Sequence, residues 1–289
     1  MNYDKFKREL YRAIICREEV AGNRVCLMGS QQDVLCISDE EDAEFIVCTP
    51  MQNLYESYCH RNLACVVDEI VGKVRLDAFL KKYALTLRPL NYHENRLELK
   101  DAVYKRFGDI SLVLYAVMFE YGRDAVTVKI ARSETDERHI SGEVLVDEAI
   151  NVTGRKRPPR LYYGTELEGE YAPDRGVFMP DETGEQIEIH NRDVREGMQG
   201  YRLTVLGHVN GAVAIFYPGV KERLAELLEG DYYVGFISVH EVAVHPVRHK
   251  SLGEMKTAIA RANILREPRE KLTDRVYRYS SSQKRLVEV

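Results

Sequence analysis

Apolar residues at Phe6, Leu10, Ala13 and Ile14 recur at helical spacing against Lys5, Lys7, Arg8, Glu9 and Arg12, which predicts an opening helix that ends by Gly22. Three short stretches follow, RVCLM, VLCIS and EFIVCT. They are rich in β-branched and apolar residues, are separated by GSQQD and SDEEDAE, and read as strands of a small antiparallel sheet. Pro50 then opens one long helical segment through Tyr58 to Val74, with Leu54, Tyr58, Val66, Ile70 and Val74 along one side. The pattern delimits a helix, three-strand, helix domain over residues 1–88.

From residue 89 the pattern changes to strand pairs followed by helices. Ile110 to Phe119 and Ala125 to Ile130 form one expected hairpin, and a helix is expected over 141–150. Residues 151–198 show the weakest periodicity, with Gly, Pro and charge in quick succession, and read as a long surface loop that includes the basic run GRKRPPR. Leu203 to Val209 and Ala212 to Tyr217 flank Asn210-Gly211, a pair suited to a type I′ turn, so a second hairpin is expected there. A helix carrying Val220, Leu224, Leu227 and Leu228 follows, with Gly230 placed as its left-handed cap. Tyr233 to Ile237 and Val242 to Val247 make a third hairpin, whose exposed turn would gather Ser238, His240 and Glu241. Ser251-x-x-Glu254 matches a capping box ahead of a helix bearing Leu252, Met255, Ile259 and Ala262, and Val276–Tyr279 with Leu286–Val289 form the last pair. The fold class is α+β. Residues 89–289 form a larger domain of antiparallel β-hairpins alternating with helices, the helices on one sheet face and the other face exposed.

Composition bounds the function. With 45% hydrophobic and 30% charged residues the chain has material for a real core. The longest apolar run, Ile110 to Phe119, is well short of the roughly 20 residues a membrane helix needs, and MNYDKFKRELYR has no leader-like apolar stretch. No membrane association and a cytoplasmic location are expected. All six cysteines lie between Cys16 and Cys65 in apolar-rich segments without a C-x-x-C, which points to reduced, buried thiols rather than disulfides or zinc. The net charge of -5 and pI near 6.0 disfavour general nucleic-acid binding, although residues 248–289 hold eleven Lys/Arg against five Asp/Glu. The simplest account of that tail is a basic face complementing acidic surface in the same fold.

Candidate chemistry is sparse. In HEVAVH the two imidazoles, His240 and His245, stand five positions apart. On a helix that separates them by about 140°, and on a strand it sends them to opposite faces, so this motif does not chelate. Phosphate-loop, dinucleotide, nucleophile-elbow and thioredoxin motifs are absent, and the carboxylates of Asp174 to Glu185 lack calcium-loop spacing. No metal and no cofactor are implied. Two candidate sites stand out. Ser238, His240 and Glu241 combine nucleophile, base and orienter types at one turn, which admits a hydrolase-like enzyme. Arg155, Lys156, Arg157 and Arg160 form a basic surface that, with the C-terminal segment, admits nucleic-acid binding.

The run GAVAIFYPGVKERLAELLEGDYYV, the later SVHEV, the upstream RFGDISLVLYAVM and VLVDEAI resemble a bacterial family of uncharacterised cytoplasmic proteins, a domain of unknown function with a YPGV...S-x-HEV C-terminal signature. The family's turn runs Pro-Ser-Ser-x-His-Glu, whereas positions 236–241 here are Phe-Ile-Ser-Val-His-Glu, without the proline and first serine. The resemblance implies no activity, cofactor or substrate. The resulting expectation is a non-enzymatic binding or interaction protein whose partner is another protein or a second copy of the chain.

Overall fold

The computed structural model describes residues 1–29, 32–39, 45–121, 124–163, 177–179, 200–264 and 266–289. They form an α+β protein of two compact units, the first comprising Met1–Ala84 with Glu134–Ser141, the second Leu85–Ser133 with Gly142–Val289.

The first unit opens with helix α1 (Tyr3–Ile15), capped by Asn2, whose side chain accepts from the Lys5 N–H. Strands β1 (Asn23–Met28), β2 (Val34–Asp39) and β3 (Phe45–Pro50) pair antiparallel in that order, as their alternation predicts. The expected single helix after Pro50 is two helices, α2 (Met51–His60) and α3 (Leu63–Lys82). Arg61 is extended at φ −137°, and Asn62 caps α3 by accepting from the Cys65 N–H at 2.8 Å, a local bond that competes with helix continuation. Phe6, Leu10, Ile14, Leu35, Ile37, Val47, Leu54, Val66, Ile70 and Val74 close the core, each worth roughly 1.5–3 kcal/mol on full burial.

The cysteines depart from expectation. All six are free, but only Cys36 is buried; Cys26 is half-buried and Cys16, Cys48, Cys59 and Cys65 are exposed. Apolar sequence neighbours do not bury a residue that its helix or strand turns away from the core: Cys59 and Cys65 lie on α2 and α3 outside the core cluster, and Cys48 sits on β3 beside the buried Val47.

The second unit holds two sheets. In the smaller, β6 (Ile110–Tyr121) pairs with β4 (Ala84–Asn91) along one edge and with β5 (Tyr104–Phe107) and β7 (Asp124–Lys129) along the other. Short helix α4 (Arg96–Leu99) belongs to this unit, whereas α5 (Arg132–Glu137) falls mostly in the Glu134–Ser141 segment of the first unit; α6 (Gly142–Lys156), again of this unit, packs on β5 and β6. The larger sheet has the order β13-β12-β10-β11-β9-β8, antiparallel throughout, from β8 (Pro159–Tyr163), β9 (Tyr201–Val205), β10 (Tyr232–Phe236), β11 (Val242–Pro246), β12 (Val276–Ser280) and β13 (Arg285–Glu288). The hairpins β6–β7, β10–β11 and β12–β13 are those the sequence predicts.

Four expectations change here. First, residues 151–156 complete α6 and β8 follows, so the weakly periodic region does not begin as a loop; Pro159 is tolerated at the first residue of β8, which is an edge strand among the described strands. The remainder of the expected 151–198 loop, with the Asp174 to Glu185 carboxylates, lies outside the described residues apart from 177–179. Second, Ala212–Tyr217 is not a strand: Gly211–Phe216 winds into a 3-10 helix. β9 already pairs with β8 and β11, leaving no edge for a returning strand. Asn210 does take the left-handed conformation (φ 55°), and Gly211 is required because a β-carbon would stand 2.0 Å from Thr204 Oγ1 and 2.3 Å from His240 O. Third, helix α7 (Val220–Leu227) ends on two positive-φ residues, with Glu229 (φ 54°) in the left-handed position one residue before the expected Gly230, which itself takes φ 138°. The Gly230 N–H reaches Ala225 O and the Glu229 N–H reaches Glu226 O, the paired bonds of a Schellman motif. Fourth, both faces of the central hairpin are covered, and every residue of β10 and β11 is buried. Helix α8 (Leu252–Ile264) sets Met255 and Ile259 against Tyr233, Ala243 and Val276, while Tyr232 and Tyr279 turn to α7 and bond Lys221 O and Glu222. The capping box forms as read, with the Ser251 N–H donating to Glu254 and the Glu254 N–H to Ser251 Oγ.

No helix among the described residues is long and apolar enough to cross a membrane.

Candidate functional site

The turn between β10 and β11 is a junction, not an exposed loop. Ser238 and Val239 are 1% and 4% exposed, because the turn is enclosed by the 3-10 helix, β9 and the segment Pro268–Glu270. Ser238 Oγ accepts from the His240 N–H (3.0 Å), His240 Nδ1 accepts from the Asn210 N–H (3.1 Å), and Thr204 donates to His240 O (2.8 Å). Glu241 pairs with Arg266 at 3.2 Å. The three side chains thus face different partners, and neither Ser238 nor His240 Nδ1 is held towards the other as nucleophile and base. His245 sits far along β11, opposite Tyr233. Among the described residues no group of His, Cys, Asp and Glu is placed to hold a metal ion.

The candidate basic residues lie at the end of α6, in β8 and in the link between them. Arg155 and Lys156 are exposed at the last turn of α6, Arg157 approaches Glu120 at 3.8 Å, and Arg160 lies on the edge strand β8. Within the tail, Arg248, Arg266, Lys271, Arg275 and Arg278 pair with Glu229, Glu241, Asp274, Asp109 and Asp231.

A different site emerges where the β5–β6 turn meets the larger sheet. A cavity of about 290 Å³ is lined by Phe107, Gly108, Phe216, Lys221, Phe236 and Tyr277, with Lys284, Arg285 and Leu286 of the β12–β13 turn and β13 completing it. That volume lies at the small end of the roughly 300–1,000 Å³ range of small-molecule sites. Its aromatic wall is continuous: Phe107 to Phe216 at 4.6 Å between centroids, Phe216 to Phe236 at 6.2 Å and stacked, and Phe236 to Tyr277 at 5.7 Å edge-on. Gly108 (φ 60°) brings the β5–β6 turn close, since a β-carbon there would stand 2.7 Å from the Tyr277 hydroxyl.

Two polar groups in this apolar lining lack partners among the described residues. The Tyr277 hydroxyl is buried without a hydrogen bond, the nearby Asp109 backbone N–H lying outside bonding geometry. Lys221 projects from the first turn of α7 and its ammonium makes no ion pair. Burial pushes the Lys221 amine below the ordinary lysine range, opposed by the carboxylate of Glu222.

The wall is anchored from behind. Asp109, 8% exposed, accepts from Thr273 at 3.0 Å and pairs with Arg275 at 2.6 Å and with His93 at 3.2 Å. Asn91 donates to Leu272 O at 2.7 Å, and the Tyr92 N–H to Asp109 O at 2.7 Å. These bonds hold the β5–β6 turn at β12.

Sequence reading missed this pocket because its lining comes from five separated segments with no local motif. The available signals were RFGD, where an aromatic precedes a glycine at a hairpin turn, and FYPGVK, where a lysine opens a helix.

Fold and pocket together define an α+β protein with an aromatic, cation-bearing cavity. The chain belongs to the Family of unknown function (DUF5688), whose model matches residues 4–281. No curated protein and no solved structure matches it.

Proposed function

We propose that this is a non-enzymatic binding protein for a small, flat apolar molecule bearing an anionic group. The observation that carries this reading is Lys221, which lines the cavity together with four aromatic rings and makes no ion pair among the described residues. A half-buried ammonium whose desolvation is offset only by the neighbouring Glu222 carboxylate is costly, and a ligand carboxylate, sulfonate or phosphate supplies a direct partner while its apolar body fills the aromatic slot. Lys284 and Arg285 add positive potential at the rim, and the Tyr277 hydroxyl offers a donor.

Naphthalenesulfonate is a suitable probe. Calorimetric titration is expected to give saturable binding at one site per chain, weakened about tenfold by Lys221→Met, the size of one charge-assisted contact. Absence of saturable heat, or an affinity that Lys221→Met and Phe216→Ala both leave unchanged, overturns the proposal.

A second reading, a protein partner, is favoured by the β6–β7 hairpin, where Met118, Phe119, Val126 and Val128 are all more than half exposed. β7 pairs only with β6 among the described strands, and an apolar unpaired edge invites edge-to-edge pairing with a second copy. Sedimentation over a hundredfold concentration range decides this: a monomer throughout rules it out, and Val126→Lys is expected to abolish any dimer. A reducing, cytoplasmic setting suits the exposed free thiols of Cys16, Cys48, Cys59 and Cys65.

A further inference from the structure

Three cysteines lie in one cross-strand row of the first unit. Cys26 of β1 faces Cys36 of β2, and Cys36 faces Cys48 of β3. Their chain neighbours Leu35, Ile37 and Val47 belong to the helical core, so strand alternation places all three thiols on the opposite face. Cys36 Sγ and Cys48 Sγ stand 3.8 Å apart. Exposure is graded along the row: Cys48 is exposed, Cys26 half-buried and Cys36 buried.

A lone buried thiol behaves as a small hydrophobe. An exposed thiol in contact with a buried one has a covalent option as well. Directly opposed strand residues hold their Cβ atoms about 4.5–5.5 Å apart, and a disulfide needs about 3.5–4.5 Å, so a small side-chain and backbone adjustment joins this pair. Three sulfurs in a row across a sheet do not surround a point, which suits pairwise sulfur chemistry better than ion binding.

We propose that Cys48 and Cys36 form a peroxide-responsive pair in which a hydroperoxide oxidises Cys48 and Cys36 resolves it to a disulfide. The Cys48 thiolate attacks one peroxide oxygen and the O–O bond breaks. Sulfur is oxidised to the sulfenic acid, and the peroxide is reduced, its second oxygen leaving as water or alcohol after taking up a proton. The Cys36 sulfur then attacks the Cys48 sulfur: the S–S bond forms, the S–O bond breaks, and the departing hydroxide takes the Cys36 proton and leaves as water. Accessibility selects Cys48 for the first step. Burial, with Cys48 and then Cys26 adding to it, pushes the Cys36 thiol up to about 11, so it keeps its proton until its neighbour has been oxidised.

The test uses the full chain and hydrogen peroxide. Mass spectrometry under non-reducing conditions is expected to show the loss of two hydrogens, reversed by a dithiol reductant. Cleavage after Asp and Glu, which cuts between the two positions at Asp39 to Glu44, is expected to yield a linked peptide containing Cys36 and Cys48, with Cys16, Cys59 and Cys65 still alkylable. In C36S the reaction is expected to stop at a Cys48 sulfenic acid that dimedone traps; in C26S the disulfide is expected to form as before. Six titratable thiols after peroxide, a linkage to any cysteine outside the Cys36–Cys48 pair, or sulfinic acid at Cys48 in the unsubstituted chain each overturns the proposal. Because that chain alone gives a decisive result, a variant that fails to fold does not rescue it.

Discussion

The imidazole of His245 lies against the backbone of Gly200, where a β-carbon would stand 2.0 Å from Cε1. Gly200 has φ 81° and so satisfies two constraints at once, a left-handed backbone and a flat surface for the ring. Burial first, then the positive charges of Lys250 and Arg202, lowers His245 to about 4. An unfolded histidine titrates near 6.5, so above that pH neither state binds the proton and His245 adds no pH dependence. As the pH falls from about 6.5 to about 4 the unfolded chain takes up a proton that the folded chain refuses, and stability declines by a total on the order of 3 kcal/mol. Urea denaturation at a series of pH values measures this, and in His245→Leu that acid-side slope is expected to shrink.

The β10–β11 turn is expected to respond to substitution as a structural joint. Thr204→Val keeps the shape but removes the donor to His240 O, for an expected loss of about 1–3 kcal/mol. Ser238→Ala removes the acceptor for the His240 N–H, for an expected loss of about 1 kcal/mol. Denaturation midpoints check both values. A hydrolytic role for Ser238 predicts the opposite pattern, unaltered stability with lost turnover.

Gly235 of β10 lets α8 settle onto the sheet. A β-carbon there would come within 2.2 Å of Ile259 Cδ1 and 2.5 Å of Cγ1, the latter too close to the helix to swing aside. Gly235→Ala is expected to destabilise by about 1–3 kcal/mol through overpacking. Adding Ile259→Val is expected to restore part of that loss, a coupling that a double-mutant cycle reads directly.

Asp109 connects pocket geometry to stability. Asp109→Ala removes one partner each from Arg275, Thr273 and His93, and an expected loss of about 2 kcal/mol allows for the solvent exposure of Arg275 and His93 and for the Glu288 partner that Arg275 keeps. Naphthalenesulfonate affinity is expected to fall as well, because the β5–β6 turn that carries Phe107 and Gly108 loses its tether. Lys221→Met is expected to separate the two properties, weakening the probe without lowering the urea midpoint, since it removes a half-buried charge that makes no ion pair among the described residues.

Local chemistry was enough to read much of this fold. Alternation and turn formers announce β6–β7, β10–β11 and β12–β13, and Ser251 with Glu254 announces the start of α8. The failures have a common physical cause. Ala212–Tyr217 has strand composition, but a strand needs a free edge, and β8 and β11 occupy both edges of β9. Pro50 to Val74 has continuous helical periodicity, but the Asn62 side chain ends one helix and begins another. Ser238, His240 and Glu241 are adjacent in sequence, but their side chains bond different partners. The pocket is the reverse case: Phe107, Phe216, Phe236 and Tyr277 are distant in sequence and meet only through tertiary structure, so no short motif could reveal them.

The bond from Thr273 to Asp109 closes a loop of 164 positions, and that from Asn91 to Leu272 one of 181. Loop length adds little to the equilibrium penalty, about 0.6 kcal/mol per doubling, but contacts so far apart are slow to find, which places this unit among the slower folders. These bonds join its two sheets, and the cavity the sheets wall exists only when they are joined. The cavity is complete only once residues 277–286 have been synthesised and docked, so a molecule that fits it would favour the joined state over the open one.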